Sequence, residues 1–271
     1  MRSGVVLLAS VVALCALSTA SGSPTKLSGK KLYPNAVAFA DRMHGALGTG
    51  GGIELTSDGG RTWHVALKTR RPVCEVAIEG SLWYAELNSG KTLRSSDSGN
   101  DWAPTPEHVW PHISCPSFVN WVGIRATPED PTWSVRMTEP AAGFEGKEVY
   151  RKLNRRWKRV ACTNMAKNQP CDRPSYGGIG IYGYPQGIAG NVSGFGLIWE
   201  GRGTTWITRD GGRHWSTGVN GEVGDVDFAS WATVLPRGGV GFVLLGNAGV
   251  RARLLETTDA GRHWRVVHRW G

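Results

Sequence analysis

The chain has 271 residues, a formal net charge of +9 and 38 glycines, a glycine share about twice the usual one. Such a length holds one sizeable core and argues against two domains, and glycine at that level suits short strands and turns. The basic balance admits anionic polysaccharide, teichoic acid or phospholipid headgroups as partners, although a solvated basic surface is the plainer reading.

In chain order, Met1-Arg2-Ser3 is followed by an apolar run from Gly4 to Leu17 and then by Ser18-Thr19-Ala20. This is the anatomy of a secretory signal peptide over residues 1–20, with cleavage near Ala20 or Gly22. The run is too short to span a bilayer, and Leu14 before Cys15 does not fit a lipoprotein cleavage site. No later segment reaches membrane-spanning length, so the mature chain is expected to be secreted or periplasmic, without stable membrane insertion. Removing the leader takes away only Arg2 and leaves a charge of about +8. Export and the lack of any recognised module argue against nucleic acid. Residues 21–31 read as a polar lead-in.

From residue 32 onward short apolar strands alternate with Gly/Asn/Asp/Pro turns, which argues all-β. The pattern predicts strands at Ala36–Ala40, His44–Thr49 and Ile53–Leu55, then at Val73–Ile78, Ser81–Leu87 and Thr92–Leu93. Further strands are expected at Phe118–Ile124, Trp133–Thr138 and Glu148–Arg151, at Gly196–Trp199 and Thr205–Ile207, and at Val226–Val234, Val240–Leu245 and Leu254–Leu255. Four of these groups end in one octapeptide, Ser/Thr-x-Asp-x-Gly-x-x-Trp: Thr56 to Trp63, Ser95 to Trp102, Thr208 to Trp215 and Thr257 to Trp264. The hydroxyl and carboxylate suit a tight turn by folding back on backbone N–H groups, and the glycine supplies a positive φ. The tryptophan opens the next strand with a large apolar surface. A fifth, decayed copy runs from Tyr150 to Trp157, with Lys152 in place of Asp and Asn154 in place of Gly.

These octapeptides resemble the Asp-box, or BNR repeat, of β-propeller proteins. The family includes sialidases, sortilin-type receptors, xyloglucanases and photosystem II stability/assembly factors, the last being nearest in length. The resemblance implies an all-β propeller over residues 32–271. The five tryptophans lie 39, 55, 58 and 49 residues apart, each gap holding one four-stranded antiparallel blade. Five blades are therefore expected, with six as the alternative. The resemblance also implies that the boxes sit between the third and fourth strands of each blade. Asp58, Asp97, Asp210 and Asp259, with Trp63, Trp102, Trp157, Trp215 and Trp264, would then be structural. Ligands would meet the opposite face, on blade-to-blade loops near residues 65–72, 103–112, 161–187 and 216–225.

Cys74, Cys115, Cys162 and Cys171 remain after the leader, and an even number in an exported chain suggests two disulfides. Three pairings are open; we favour Cys162–Cys171, which closes a short loop, together with Cys74–Cys115. The cysteine spacing does not suit zinc, and Pro111 disfavours a helix bearing His108 and His112, so neither metal nor cofactor is expected. The long segment from Cys162 to Gly187 carries Arg173, Tyr176, Tyr182 and Tyr184, the leading ligand-binding candidates. Tyrosine offers a sugar or protein a flat face and a hydroxyl; packing on a blade edge is the competing reading. Asp225 and Asp227, with Asp41, Glu75 and Glu79, are the carboxylates that could bind a cation or serve as acid and base; solvated strand-end acids are the plainer reading. Of the sialidase signatures only Arg125-Ala-Thr-Pro128 gives an echo, in the wrong blade.

Arg151 to Arg159 gathers six cationic residues around Trp157, as a docking site for an anionic partner or as a solvated hairpin tip. Asn191-Val-Ser193 would be a glycosylation sequon in a eukaryotic source. Together these features point to an exported, noncatalytic propeller that binds or assembles with a protein or glycan partner, for which an anionic one suits the charge. The alternative is an exo-acting, sialidase-like glycoside hydrolase with its acids at the channel mouth.

Overall fold

The computed structural model describes residues 34–106, 125–126, 132–141, 144–163, 179, 185–200, 204–220, 228–247 and 251–271. The chain divides into Met1–Lys30 and Lys31–Gly271, and every described residue lies in the second unit.

Strands come in consecutive groups, as short apolar segments punctuated by glycine turns require. β1 (Pro34–Phe39), β2 (Gly45–Thr49), β3 (Gly52–Thr56) and β4 (His64–Lys68) form the first antiparallel sheet in that order. β5 (Val73–Glu79), β6 (Leu82–Leu87), β7 (Thr92–Ser95) and β8 (Ala103–Thr105) form the second. After the two-residue β9 (Arg125–Ala126), the third sheet holds β10 (Trp133–Ala141), β11 (Phe144–Leu153) and β12 (Arg156–Thr163). The fourth runs through β13 (Pro185–Gly190), β14 (Gly196–Glu200), β15 (Thr204–Thr208) and β16 (Ser216–Asn220). The fifth contains β17 (Phe228–Val234), β18 (Gly241–Asn247), β19 (Arg251–Thr257) and β20 (Arg265–Trp270). Neighbouring sheets meet through their leading strands: β10 lies against β13, β13 against β17, β17 against β1, and β1 against β5. The chain is an all-β, five-bladed propeller, and no helix occurs among the described residues.

Two details depart from the uniform four-stranded blades expected. The third sheet shows three strands, because its expected inner strand, Phe118–Ile124, lies outside the described residues. β9, which follows that segment, pairs in parallel with β13 of the next sheet, Arg125 beside Gly187 and Ala126 beside Ile188. The connections between sheets are also shorter than expected. β4 extends to Lys68, β12 to Thr163 and β16 to Asn220, while β13 already begins at Pro185. Ladder pairing satisfies backbone groups that a loop would leave to water.

Strand alternation gives each sheet two faces, and four seams between neighbours are apolar. The first and second sheets share Ile53, Leu55, Val73 and Val76; the third and fourth share Trp133, Val149, Ile188 and Ile198. The fourth and fifth share Leu197, Trp199, Val243 and Leu245. Between the fifth and first, Phe39 and Phe242 stack at 3.7 Å, Arg42 reaches Glu256 at 2.7 Å, and the His268 ring meets the Arg61 carbonyl at 2.8 Å. β9 apart, each described sheet is built from consecutive strands, so side chains rather than a shared strand hold the fifth sheet against the first. Trp231 on β17 packs against three of the four seam clusters, its ring 5.9 Å from that of Trp199.

Candidate functional site

The four octapeptides close the β3–β4, β7–β8, β15–β16 and β19–β20 hairpins by one bonding scheme. The opening hydroxyl donates to the aspartate: Thr56 to Asp58 at 2.8 Å, Ser95 to Asp97 at 2.6 Å, Thr208 to Asp210 at 3.0 Å and Thr257 to Asp259 at 2.9 Å. The same hydroxyl accepts the N–H of Gly60, Gly99, Gly212 or Gly261 at 2.8–2.9 Å. The carboxylate then accepts backbone N–H groups beyond the glycine, from Arg61 and Thr62, Asp101, Arg213 and His214, or Arg262 and His263. Burial works against ionisation of Asp58, yet bonds from Thr62, Thr56 and Arg61 outweigh it and hold its carboxyl down at about 2. Asp210 is lowered in the same way, chiefly through His214, whereas backbone donors dominate at Asp97 and Asp259. All four carboxylates are thus occupied as turn staples.

The glycine of each octapeptide is required twice over. Gly60, Gly99, Gly212 and Gly261 have φ of 84°, 87°, 93° and 73°. A Cβ at any of them would also lie 2.5–2.9 Å from a side chain of the preceding sheet in the ring: Leu254, Leu55, Val160 or Ile207. The tryptophan enters the same seam. Trp63 packs between the fifth and first sheets, Trp102 between the first and second, Trp215 between the third and fourth, and Trp264 between the fourth and fifth. Trp63, Trp102 and Trp215 donate their indole N–H to the glycine carbonyl at 3.0, 2.7 and 3.0 Å.

Residues Tyr150–Trp157 behave differently, and the expectation that Trp157 is a structural box residue is corrected. Leu153 pairs with Arg156 around Asn154 and Arg155, both with positive φ (51° and 64°), which is a two-residue hairpin. Without the carboxylate staple and the longer turn, Trp157 stays 47% exposed, opposite Lys152 and on the face turned away from the fourth sheet. The second sheet's face turned away from the first is polar as well, carrying Glu75, Tyr84, Glu86 and Thr92. On that face the apolar cluster among the described residues shrinks to Ala77, Tyr84 and Leu82.

Among the described side chains, the two ends of the propeller differ in charge. The octapeptide turns share one end with the first turn of each sheet: Gly59, Gly211 and Ala260 donate N–H groups to the carbonyls of Met43, Gly194 and Gly239. At the opposite end the connections between sheets meet the middle turns, through Thr69 N–H to Gly51 and Asn88 N–H to Pro72. Asp41, Asp58, Glu79, Asp97, Asp101, Asp210 and Asp259 all lie toward the octapeptide end, mixed with cations. At the connection end, the charged side chains whose exposure is described are Lys68, Arg70, Arg71, Lys91, Arg251 and Arg269; Glu139 and Glu145, beside the β10–β11 turn at the same end, are not among them.

Buried charge is confined to a few places. Glu75 and Glu86 face each other across β5 and β6 at 4% and 1% exposure. The sequence singles out Glu75; Glu86 escapes notice, although a lone acid in the apolar run Leu82–Leu87 is the signal that could have found it. Lys147 on β11 and Glu200 on β14 form a buried ion pair at 2.7 Å across the third seam. Burial pushes the Glu200 carboxyl up, against the pull of Lys147. Asn191 gives a second correction: its side-chain amide donates to the carbonyls of Leu235 and Gly238 at 3.1 and 2.8 Å and accepts from Phe195 N–H. Only 2% exposed, it braces the fourth sheet against the fifth and offers no free amide for a glycan.

Arg173, Tyr176, Tyr182, Tyr184, Asp225, Asp227, Cys115, Cys171, His108 and His112 lie outside the described residues. Cys74 and Cys162 are buried, and neither is a free thiol.

No protein-family model matches the chain, and no curated protein matches it. Solved structures do. A complex described as YCF48 bound to D1 peptide has 15% identity and a TM-score of 0.30, covering 88% of this chain and 81% of that one. A nidogen/laminin complex has 10% identity and a TM-score of 0.39, covering 89% and 80%. A Niastella koreensis GH74 enzyme has 15% identity and a TM-score of 0.29, covering 86% of this chain and 31% of that one. A peptide complex, a protein complex and an enzyme stand side by side in this group, and likenesses of this order carry no functional argument.

Proposed function

We propose that this chain is an exported, noncatalytic Asp-box β-propeller that binds a protein or glycan partner of anionic character at its connection end, as a binding or assembly module. The supporting observation is the separation of charge. Lys68, Arg70, Arg71, Lys91, Arg251 and Arg269 are the exposed charged side chains described at that end, while the octapeptide carboxylates are occupied at the other. An excess of cations attracts anions over distance and raises their encounter rate. The connection carrying Arg173, Tyr176, Tyr182 and Tyr184 leaves β12 and enters β13 at this same end, so these four are the proposed ligand contacts. Cys162–Cys171 and Cys74–Cys115 are the proposed disulfides, and residues 1–20 the proposed signal peptide. A hydrolase would need two accessible acids facing each other; the facing pair among the described residues, Glu75 and Glu86, is buried.

The test uses immobilised poly-aspartate as the probe. Binding of the wild-type chain is expected to fall steeply with salt, and Lys68→Glu/Arg70→Glu/Arg71→Glu to abolish it. Arg213→Glu/Arg237→Glu, at the octapeptide end, should leave it intact. Equal loss in both variants would refute the assignment of the binding end.

A further inference from the structure

We infer that the face of the third sheet turned away from the fourth is a second binding surface, fitted to an acidic polysaccharide and independent of the connection end. On β12, Trp157 and Arg159 point to one face; opposite them on β11 stand Lys152 and Tyr150. The four side chains form a checkerboard in which each aromatic ring has a cation both across the ladder and along its own strand. Lys152 Nζ lies 5.9 Å from the Trp157 ring centre. Arg136 from β10 covers the Tyr150 ring at 4.9 Å, and Arg159 reaches Glu148, the one acid of the patch described, at 2.8 Å.

A solvated hairpin tip accounts for charge here but not for a half-exposed indole. The other four tryptophans at the equivalent place turn into seams. Cations on the edge strand β12, among them Arg156 and Lys158, oppose pairing with a further strand, which disfavours an extended peptide. A sugar ring offers what the face can use: C–H surface for the indole and a carboxylate or sulfate for Lys152 and Arg136.

The experiment measures binding of the full chain to polygalacturonate, dextran sulfate, neutral dextran and poly-glutamate. Both acidic polysaccharides should bind and neutral dextran should not. Trp157→Ala should weaken the polysaccharides about tenfold, and Lys152→Gln by a smaller factor, with melting temperature unchanged in both. Binding should persist in Lys68→Glu/Arg70→Glu/Arg71→Glu, so failure here is separable from failure at the connection end. Binding of only one acidic polysaccharide, lost with Trp157→Ala, narrows the ligand to uronate or sulfate and still supports the surface. No binding to either, no effect of Trp157→Ala, or an equal effect of that variant on poly-glutamate would overturn the proposal.

Discussion

Replacing Trp215 and Trp157 separately by alanine tests the claim that the octapeptide tryptophans weld the seams and that the decayed copy does not. Trp215 is 6% exposed, meets Trp133 edge-on at 6.3 Å and donates to the Gly212 carbonyl at 3.0 Å. Truncating a side chain so enclosed costs about 3–5 kcal/mol, from the lost transfer energy and the cavity left between sheets that cannot collapse together. In a unit of this size that lowers the melting temperature by roughly 10 °C. Trp157, 47% exposed, leaves no cavity, and its loss should stay within about 1 kcal/mol. Urea unfolding followed by near-ultraviolet circular dichroism, with thermal melts alongside, reads both values. A Trp157→Ala variant as destabilised as Trp215→Ala would refute the seam argument.

The buried pair should show strong coupling. Lys147→Met and Glu200→Leu alone are each expected to cost about 3–5 kcal/mol, because each strands a buried charge, whereas the double variant should recover most of the loss; additive costs in urea titrations would exclude the pair as a unit. The octapeptide turns make stability depend on acid. Asp58 has a folded value of about 2, below its ordinary 3.8, so its stabilisation is complete above that ordinary value and is lost as pH falls through about 2. Asp58→Asn should flatten the acid limb of a stability–pH curve, and an unchanged limb would place the acid sensitivity elsewhere.

The repeat made the fold readable because each of its fixed positions performs a local task that sequence spacing encodes. Thr56, Asp58 and Gly60 bond within one turn, so the turn can be inferred without knowing what surrounds it. That a tryptophan carries a large apolar surface repeats with the turn, but which seam it fills depends on neighbouring sheets and shows only in the fold. The decayed copy misled for the same reason: Trp157 kept its place in the spacing while the lost carboxylate and the shortened turn changed the direction it faces. Glu86, Lys147 and Asn191 were not legible as buried groups, since their burial is set by partners far along the chain. Asn191, for instance, bonds to Leu235 and Gly238, 44 and 47 residues away. The separation of charge among the described side chains follows from strand direction, which scatters its members across the sequence and hides it there.

The sheet faces differ in how firmly they are held, and the structure ranks them. The fifth and first sheets are not joined by a chain connection, which makes their seam the obvious weak point. Yet that seam holds Val37, Phe39, Leu47, Phe242, Leu244 and Leu254, the stacked phenylalanines, Trp63, and Glu256 bound by both Arg42 and Arg265. By contrast, the second sheet's face turned away from the first, with Glu75, Glu86 and Thr92, and the third sheet's face turned away from the fourth, with Tyr150, Lys152 and Trp157, receive no octapeptide tryptophan. Local opening free energy follows buried apolar contact more closely than chain connectivity. Hydrogen exchange should therefore reach peptides covering β7–β8 and the β11–β12 hairpin before those covering β1 and β17–β18. If the fifth and first sheets exchange first, the chain ends outweigh the seam, and the missing tryptophan carries no energetic consequence.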